Sequence, residues 1–197
     1  MKLDLVFTGV GGQGVVVLSD IFCEAALVDG FDVAKAEIHG MAQRGGSISA
    51  HVRIGDKVLS PLIERGKADV IVGFEVLETA RCLPMIKAEG TVVVNTRFIP
   101  PGGTLPSQSK PLKLEGLISL IRQNALRVYE VDGGGIANRL GNLLVVNTVL
   151  LGAASALQEV PIKEDSFKQA IAGRLKEKYI NLNLRAFQLG RESVTLS

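Results

Sequence analysis

Two short runs carry the residue types that could do chemistry: Gly9-Val10-Gly11-Gly12-Gln13-Gly14 and Glu37-Ile38-His39-Gly40-Met41-Ala42-Gln43-Arg44-Gly45-Gly46-Ser47. In the first, Gly9, Gly11 and Gly14 fit the pattern G-x-G-x-x-G. Such a loop turns tightly and lets a ligand approach the backbone, while the free N–H groups of the following helix attract anionic oxygens. Gly12 and Gln13 add a backbone donor and an amide. The second run offers an imidazole at His39, an amide at Gln43 and a planar cation at Arg44, and Gly40, Gly45 and Gly46 expose the backbone around them. The chemistry on offer is anion binding. No catalytic residue and no general base is assigned in either run.

The flanking elements must bring the two runs together. Leu3 to Phe7 reads as a buried strand, and Val15 to Asp29 places Leu18, Ile21, Phe22 and Ala25 on one helical face before Gly30 ends it. Asp32 to Ile38 is a second strand. A βαβ unit of this order predicts parallel strands, with both loops at the carboxyl rim where open α/β sheets bind ligands. Ile48, Ala50, Val52 and Ile54 alternate with Ser47, Ser49, His51 and Arg53, the period of a half-buried strand. Gly55-Asp56 marks a turn, and Lys57 to Ser60 is expected to return as its antiparallel hairpin partner. A hairpin here departs from the doubly wound nucleotide fold, which places a helix after the second strand.

Further strands are expected over Ala68 to Phe74, Thr91 to Asn95 and Arg127 to Val131. Helices are expected over Glu75 to Lys87, with Pro84 ending or kinking it, and over Glu115 to Asn124. The Pro- and Gly-rich segment 96–111 is predicted to be irregular, a binding loop or an arm on a partner. Gly133-Gly134-Gly135 opens a helical third. Asn142 to Leu157 is apolar nearly all round and reads as a core helix. An amphipathic helix over Glu164 to Leu175 follows, then a short one over Asn181 to Leu189 and a frayed tail from Glu192. The expected fold is a three-layer α/β/α domain spanning residues 1–197. Its mixed sheet has a parallel βαβ start and one antiparallel hairpin, Rossmann-like only in its first unit.

Composition narrows the partners. The chain has 197 residues, 47% hydrophobic and 21% charged, with a net charge of +2. No basic patch interleaved with aromatics marks a nucleic-acid partner. The most apolar stretch, Leu143 to Leu157, is broken by Asn147, Thr148 and Ser155 and falls short of the ~20 residues of a membrane span. With no recognisable signal peptide, a cytoplasmic location is expected. Cys23 and Cys82 are the only cysteines and lie far apart, so they read as buried thiols rather than metal ligands. Glu37 stands where a ribose-binding acid would sit, which keeps a stand-alone dinucleotide (NAD or FAD) oxidoreductase or sensor as the alternative reading.

The two runs, with Ser60-Pro61-Leu62-Ile63, Ala137-Asn138-Arg139-Leu140-Gly141-Asn142 and the stretch Asn147 to Gly152, carry a resemblance over most of the chain. It resembles the small (beta) subunits of indolepyruvate ferredoxin oxidoreductases, a branch of the gamma-subunit family of 2-oxoacid:ferredoxin oxidoreductases. The His39-Gly40-Met41-Ala42-Gln43 wording before Arg44 points to the indolepyruvate branch. The resemblance implies a subunit inactive without its large (alpha) subunit. The enzyme would convert arylpyruvates and coenzyme A (CoA) to arylacetyl-CoA, CO2 and reduced ferredoxin. It also implies an α2β2 heterotetramer whose large subunit holds thiamine diphosphate, Mg and [4Fe-4S] clusters. Two cysteines cannot ligate a cluster that takes four. Asp132-Gly133-Gly134-Gly135 with Asn138 is too compact for a thiamine signature and reads as a turn before a helix. On this footing the two loops finish the wall of a shared site, facing CoA, the oxoacid or thiamine diphosphate.

Overall fold

The computed structural model describes residues 1–40, 46–99 and 113–195. The expectations for Gln43, Arg44 and Gly45, and for most of the Pro- and Gly-rich segment, lie outside the described residues. In chain order the elements are β1 (Lys2–Val10), α1 (Val15–Val28), β2 (Asp32–His39), β3 (Ser47–Gly55), β4 (Ala68–Gly73), α2 (Val76–Cys82) and β5 (Ile86–Asn95). Then come α3 (Leu114–Asn124), β6 (Arg127–Val131), α4 (Gly133–Arg139), α5 (Val146–Ser155), α6 (Glu164–Arg174) and α7 (Glu177–Thr195).

The strands form one sheet in the order β2-β3-β1-β4-β5-β6. β1, β4, β5 and β6 pair in parallel, whereas β3 runs antiparallel to both of its neighbours, β1 and β2. β1 and β2 are therefore parallel, as the βαβ pattern predicts, but β3 is inserted between them. The hairpin exists with a different partner. Lys57 to Ser60 forms no strand, because β1 and β2 already occupy both edges of β3. The hairpin is β2–β3, closed at its end by Gly40 N–H donating to Ser47 O (2.8 Å).

Alternating side chains build a core on each face. Phe7 faces the layer of α1 and α4 to α7, where Phe22, Phe167 and Phe187 continue the stack at centroid separations of 5.5, 5.0 and 5.8 Å. Val6, Ile71, Val92 and Val94 face the other way, against Leu117, Ile118 and Ile121 of α3 and Leu77 of α2. β4 and β5 lie between both layers and are apolar on both faces, as covered parallel strands are.

Three helix expectations change at their ends. α2 stops at Cys82 and a 3-10 turn, Leu83–Met85, carries Pro84, the early end that proline imposes. The core helix begins only at Val146. Before it, Asn142 Oδ1 accepts from Leu144 N–H (2.9 Å) and caps a 3-10 turn, Leu143–Val145, that leaves Leu143 and Leu144 exposed. The last helix is much longer than Asn181 to Leu189 and takes in the expected tail as far as Thr195. It is held along α5, where Gly152 and Gly190 let the two backbones touch. Among the described residues no helix is long and apolar enough to cross a membrane.

Candidate functional site

β1 ends beside the start of β3, so the two sequence runs meet there: Gly11 N–H donates to Gly46 O (2.9 Å) beside the Val10–Ser47 pair. The glycine loop also bonds to itself. Gln13 N–H donates to Val10 O (3.1 Å), and Gln13 Oε1 accepts from Val10 N–H (2.7 Å). The backbone N–H groups of Gly11 and Gln13 are thus committed within the protein, while the side-chain NH2 of Gln13 bonds to no described residue. Gly12 N–H bonds to no described residue. Gly14, the N-cap of α1, has no side chain to cap the helix, so the first-turn N–H groups of α1 remain open as an anion-attracting end.

The glycines divide by role. Gly12 and Gly14 have φ of 98° and 87°, a region that side chains other than glycine's rarely adopt. Gly9 is a packing glycine within β1, since a Cβ there would lie 2.8 Å from Phe74 Cβ and 2.6 Å from Gln13 Oε1.

In front of the loop lies a cleft of about 470 Å³ at the carboxyl ends of β1, β4 and β5. Gly11, Gly12, Gln13 and Gly14 form one wall; Arg97 and Ile99, beyond β5, form another; Leu143, Leu144 and Asn147 close it. Asn95 ties this rim together, donating to Phe74 O (3.0 Å) and accepting from Gly133 N–H (3.2 Å). Glu75 supplies no free carboxylate to the cleft, because its oxygens accept from Leu77 N–H (3.1 Å), Glu78 N–H and Ile99 N–H (3.4 Å). Arg97 is exposed, and among the described residues no carboxylate pairs with it. Its guanidinium and the start of α1 are the positive features that the cleft presents.

Sequence reasoning missed Arg97 and Asn147. In the sequence Arg97 falls in a segment that reads as irregular, although its place two residues past a buried parallel strand is the position that reaches a sheet's carboxyl rim. In the sequence Asn147 reads as an interruption in a core helix, but its side chain stands against Gly14, where Nδ2 would lie 2.9 Å from an added Cβ.

His39 and Gly40 do not join this cleft. His39 stands on β2, two strand spacings or about 10 Å from β1. Its Nε2 lies 3.5 Å from Glu37, and Gly40 N–H closes the hairpin on Ser47 O (2.8 Å). Glu37 pairs with Lys35 (2.8 Å). The inserted β3 removes Glu37 from the ribose position that the dinucleotide alternative requires.

The donor chemistry does not suit the redox groups of the resemblance. Asp132 Oδ1 caps α4 by accepting from Gly135 N–H (2.8 Å), so that carboxylate is already engaged in a helix start. Cys23 and Cys82 lie on opposite faces of the sheet, and burial pushes both thiols up to about 12. Among the described residues no three His, Cys, Asp or Glu side chains converge as metal ligands do.

Fold and cleft together define an open α/β sheet protein with an anion-attracting pocket at its carboxyl rim. The chain belongs to the pyruvate ferredoxin/flavodoxin oxidoreductase family, whose profile matches residues 4–193, and it is a small subunit of an oxidoreductase of that kind. It is 38% identical to the indolepyruvate oxidoreductase subunit IorB of Archaeoglobus fulgidus, over 96% of this chain and 94% of that protein. The oxoacid ferredoxin oxidoreductase gamma subunit of Geobacter sulfurreducens shares the fold, with a TM-score of 0.74, 24% identity and 99% of each chain covered. So does part of the 2-oxoglutarate:ferredoxin oxidoreductase of Magnetococcus marinus, solved with 2-oxoglutarate, CoA and succinyl-CoA. There the TM-score is 0.76 at 22% identity, over all of this chain and 31% of that one.

Proposed function

We propose that this subunit serves an enzyme converting indolepyruvate and related arylpyruvates, with CoA, to arylacetyl-CoA, CO2 and reduced ferredoxin. The observation that carries the reading is the end-to-end 38% identity to an indolepyruvate oxidoreductase subunit. The whole chain acts as one domain in the cytoplasm, in an α2β2 assembly whose large subunit holds thiamine diphosphate, Mg and the [4Fe-4S] clusters and hands electrons to ferredoxin. Two cysteines cannot ligate a cluster that takes four, and among the described residues no three His, Cys, Asp or Glu side chains converge as metal ligands do, which supports a large subunit that carries those groups.

What the chain contributes is a binding wall. CoA has phosphates for the α1 N-terminus and Arg97, and an apolar arm for Leu143, Leu144 and Ile99, so CoA is the anion this cleft suits best. Arg44 is the second candidate cation.

The test is co-expression with the large subunit and measurement of arylpyruvate-dependent viologen reduction with and without this chain. Activity requires both. Losing a charge-assisted contact of about 1.5–3 kcal/mol, Arg97→Ala raises KM for CoA roughly 10- to 100-fold and changes kcat little. If KM for CoA and for the oxoacid both stay put in Arg97→Ala and in Arg44→Ala, the binding-wall role is wrong.

A further inference from the structure

Among the described residues β2 pairs only with β3, so the other side of the strand presents backbone donors and acceptors that no described strand takes up. Which residues point outward follows from the hairpin ladder. Gly40 N–H bonds to Ser47 O, and in an antiparallel ladder the direction alternates. The residues in step with Gly40 face β3, and Val33, Lys35, Glu37 and His39 turn N–H and C=O outward. A lysine on such an edge usually repels a second strand. Here the Lys35 ammonium is folded down to Asp20 and Glu37 and is only 16% exposed, which leaves the edge unguarded.

The outward residues are self-complementary in one register. About a two-fold axis through Ala36, Lys35 meets the partner's Glu37 and Val33 meets the partner's His39, so all four outward residues are paired. An axis through Lys35 would oppose two ammonium groups, and one through Glu37 two carboxylates, which is unfavourable for directly opposed residues. The opposite face of the strand agrees. Ala34, Ala36 and Ile38 form an apolar row in which Ile38, 47% exposed, covers the partner's Ala34.

We propose that β2 is a homophilic edge, joining two copies of this chain into one continuous sheet by antiparallel pairing centred on Ala36. The contact is isologous and closes on itself, so it makes a dimer and not a filament. It lies away from the cleft at the ends of β1, β4 and β5 and does not depend on which ligand that cleft takes.

Ala36→Cys in the co-expressed complex tests the register. A non-hydrogen-bonded pair on the axis brings the two Cα atoms to about 4.5 Å, within disulfide reach. Mild oxidation then gives a small-subunit dimer on a non-reducing gel. Ala34→Cys gives none, since its two copies lie about 13 Å apart along the strands. Adding Glu37→Pro to Ala36→Cys removes an outward N–H without touching the β3 ladder, and lowers the cross-linked yield at least about 10-fold. Equal cross-linking from Ala36→Cys and Ala34→Cys, or none from either, overturns the proposal. Hydrogen exchange on the free full-length chain needs no substitution: the four outward amides slow by about 10-fold or more as concentration rises. Fast exchange independent of concentration overturns it as well.

Discussion

Gly14 concentrates the site's physics in one residue. Its φ of 87° costs a side chain about 1–2 kcal/mol, and a Cβ would press Asn147 Nδ2 at 2.9 Å. Gly14→Ala should therefore lower unfolding free energy by about 1–2 kcal/mol and weaken ligand binding in the cleft, measured by urea titration and by KM in the assembled enzyme. Gly12→Ala, with open space around the added methyl, should cost less. His51 makes a second residue-scale prediction. It is 5% exposed, and its Nδ1 accepts from Ile63 N–H (3.2 Å). Burial first, and Arg53 second, lower its pKa. The unfolded chain then takes up the proton more readily than the folded one, so stability falls as pH drops below about 6.5. Urea midpoints between pH 7.5 and 5.5 should decline in the wild type and stay flatter in His51→Asn, whose Oδ1 keeps the acceptor. At this scale Gly14 was legible because side chains rarely adopt its angle, and Gly9 because a Cβ there would meet Phe74. Arg97 was not, because its place two residues past β5 marks the rim but does not distinguish a cation that faces the cleft from a solvated one.

The elements were readable where period and punctuation agree. Gly30 with φ of 82° ends α1, the alternation from Ile48 to Ile54 is β3, and Pro84 cuts α2 short. Pairing was not readable. The turn at Gly55-Asp56 looks like a hairpin, and only the sheet as a whole reveals that β1 takes the edge which Lys57 to Ser60 would have used. The length of α7 was hidden for a related reason. Its apolar face is supplied by contact with α5, and the contact works because Gly152 and Gly190 carry no side chain. A Cβ on Gly152 would sit 2.0 Å from Phe187 O, and one on Gly190 1.9 Å from Val149 O. No rotamer relieves a backbone clash, so Gly152→Ala or Gly190→Ala must push the helices apart. Each should destabilise the chain by about 3 kcal/mol or more, at the upper end of overpacking. Gly173→Ala in α6, with nothing near its added methyl, should be neutral or slightly stabilising. Thermal melts of the three variants would check the ordering.

At the scale of the whole molecule, the surface records a missing partner. Leu143 and Leu144 are 60% and 84% exposed on their 3-10 turn. They stand between the main cleft and a second hollow of about 240 Å³ that Leu144 shares with Val17 and Tyr179, both also exposed. Large apolar side chains gathered around paired hollows mark a binding surface more often than a solvated one. The turn holds them there through the Asn142 cap. In the free chain these side chains already face water, so changing them removes little burial. Leu144→Asp should leave the melting temperature of the isolated chain within about 2 °C of wild type, as surface substitutions do. In the complex the same aspartate would replace an apolar side chain buried against the large subunit and would have to give up its hydration, which costs several kcal/mol. Co-purification with the large subunit should then fall at least 10-fold, since each ~1.4 kcal/mol is a factor of ten in affinity. Lys67→Asp, an exposed charge at the far end of β4, should change neither quantity. If Leu144→Asp assembles as tightly as wild type, the large subunit does not cover this rim, and the cleft must take its ligand without a second wall.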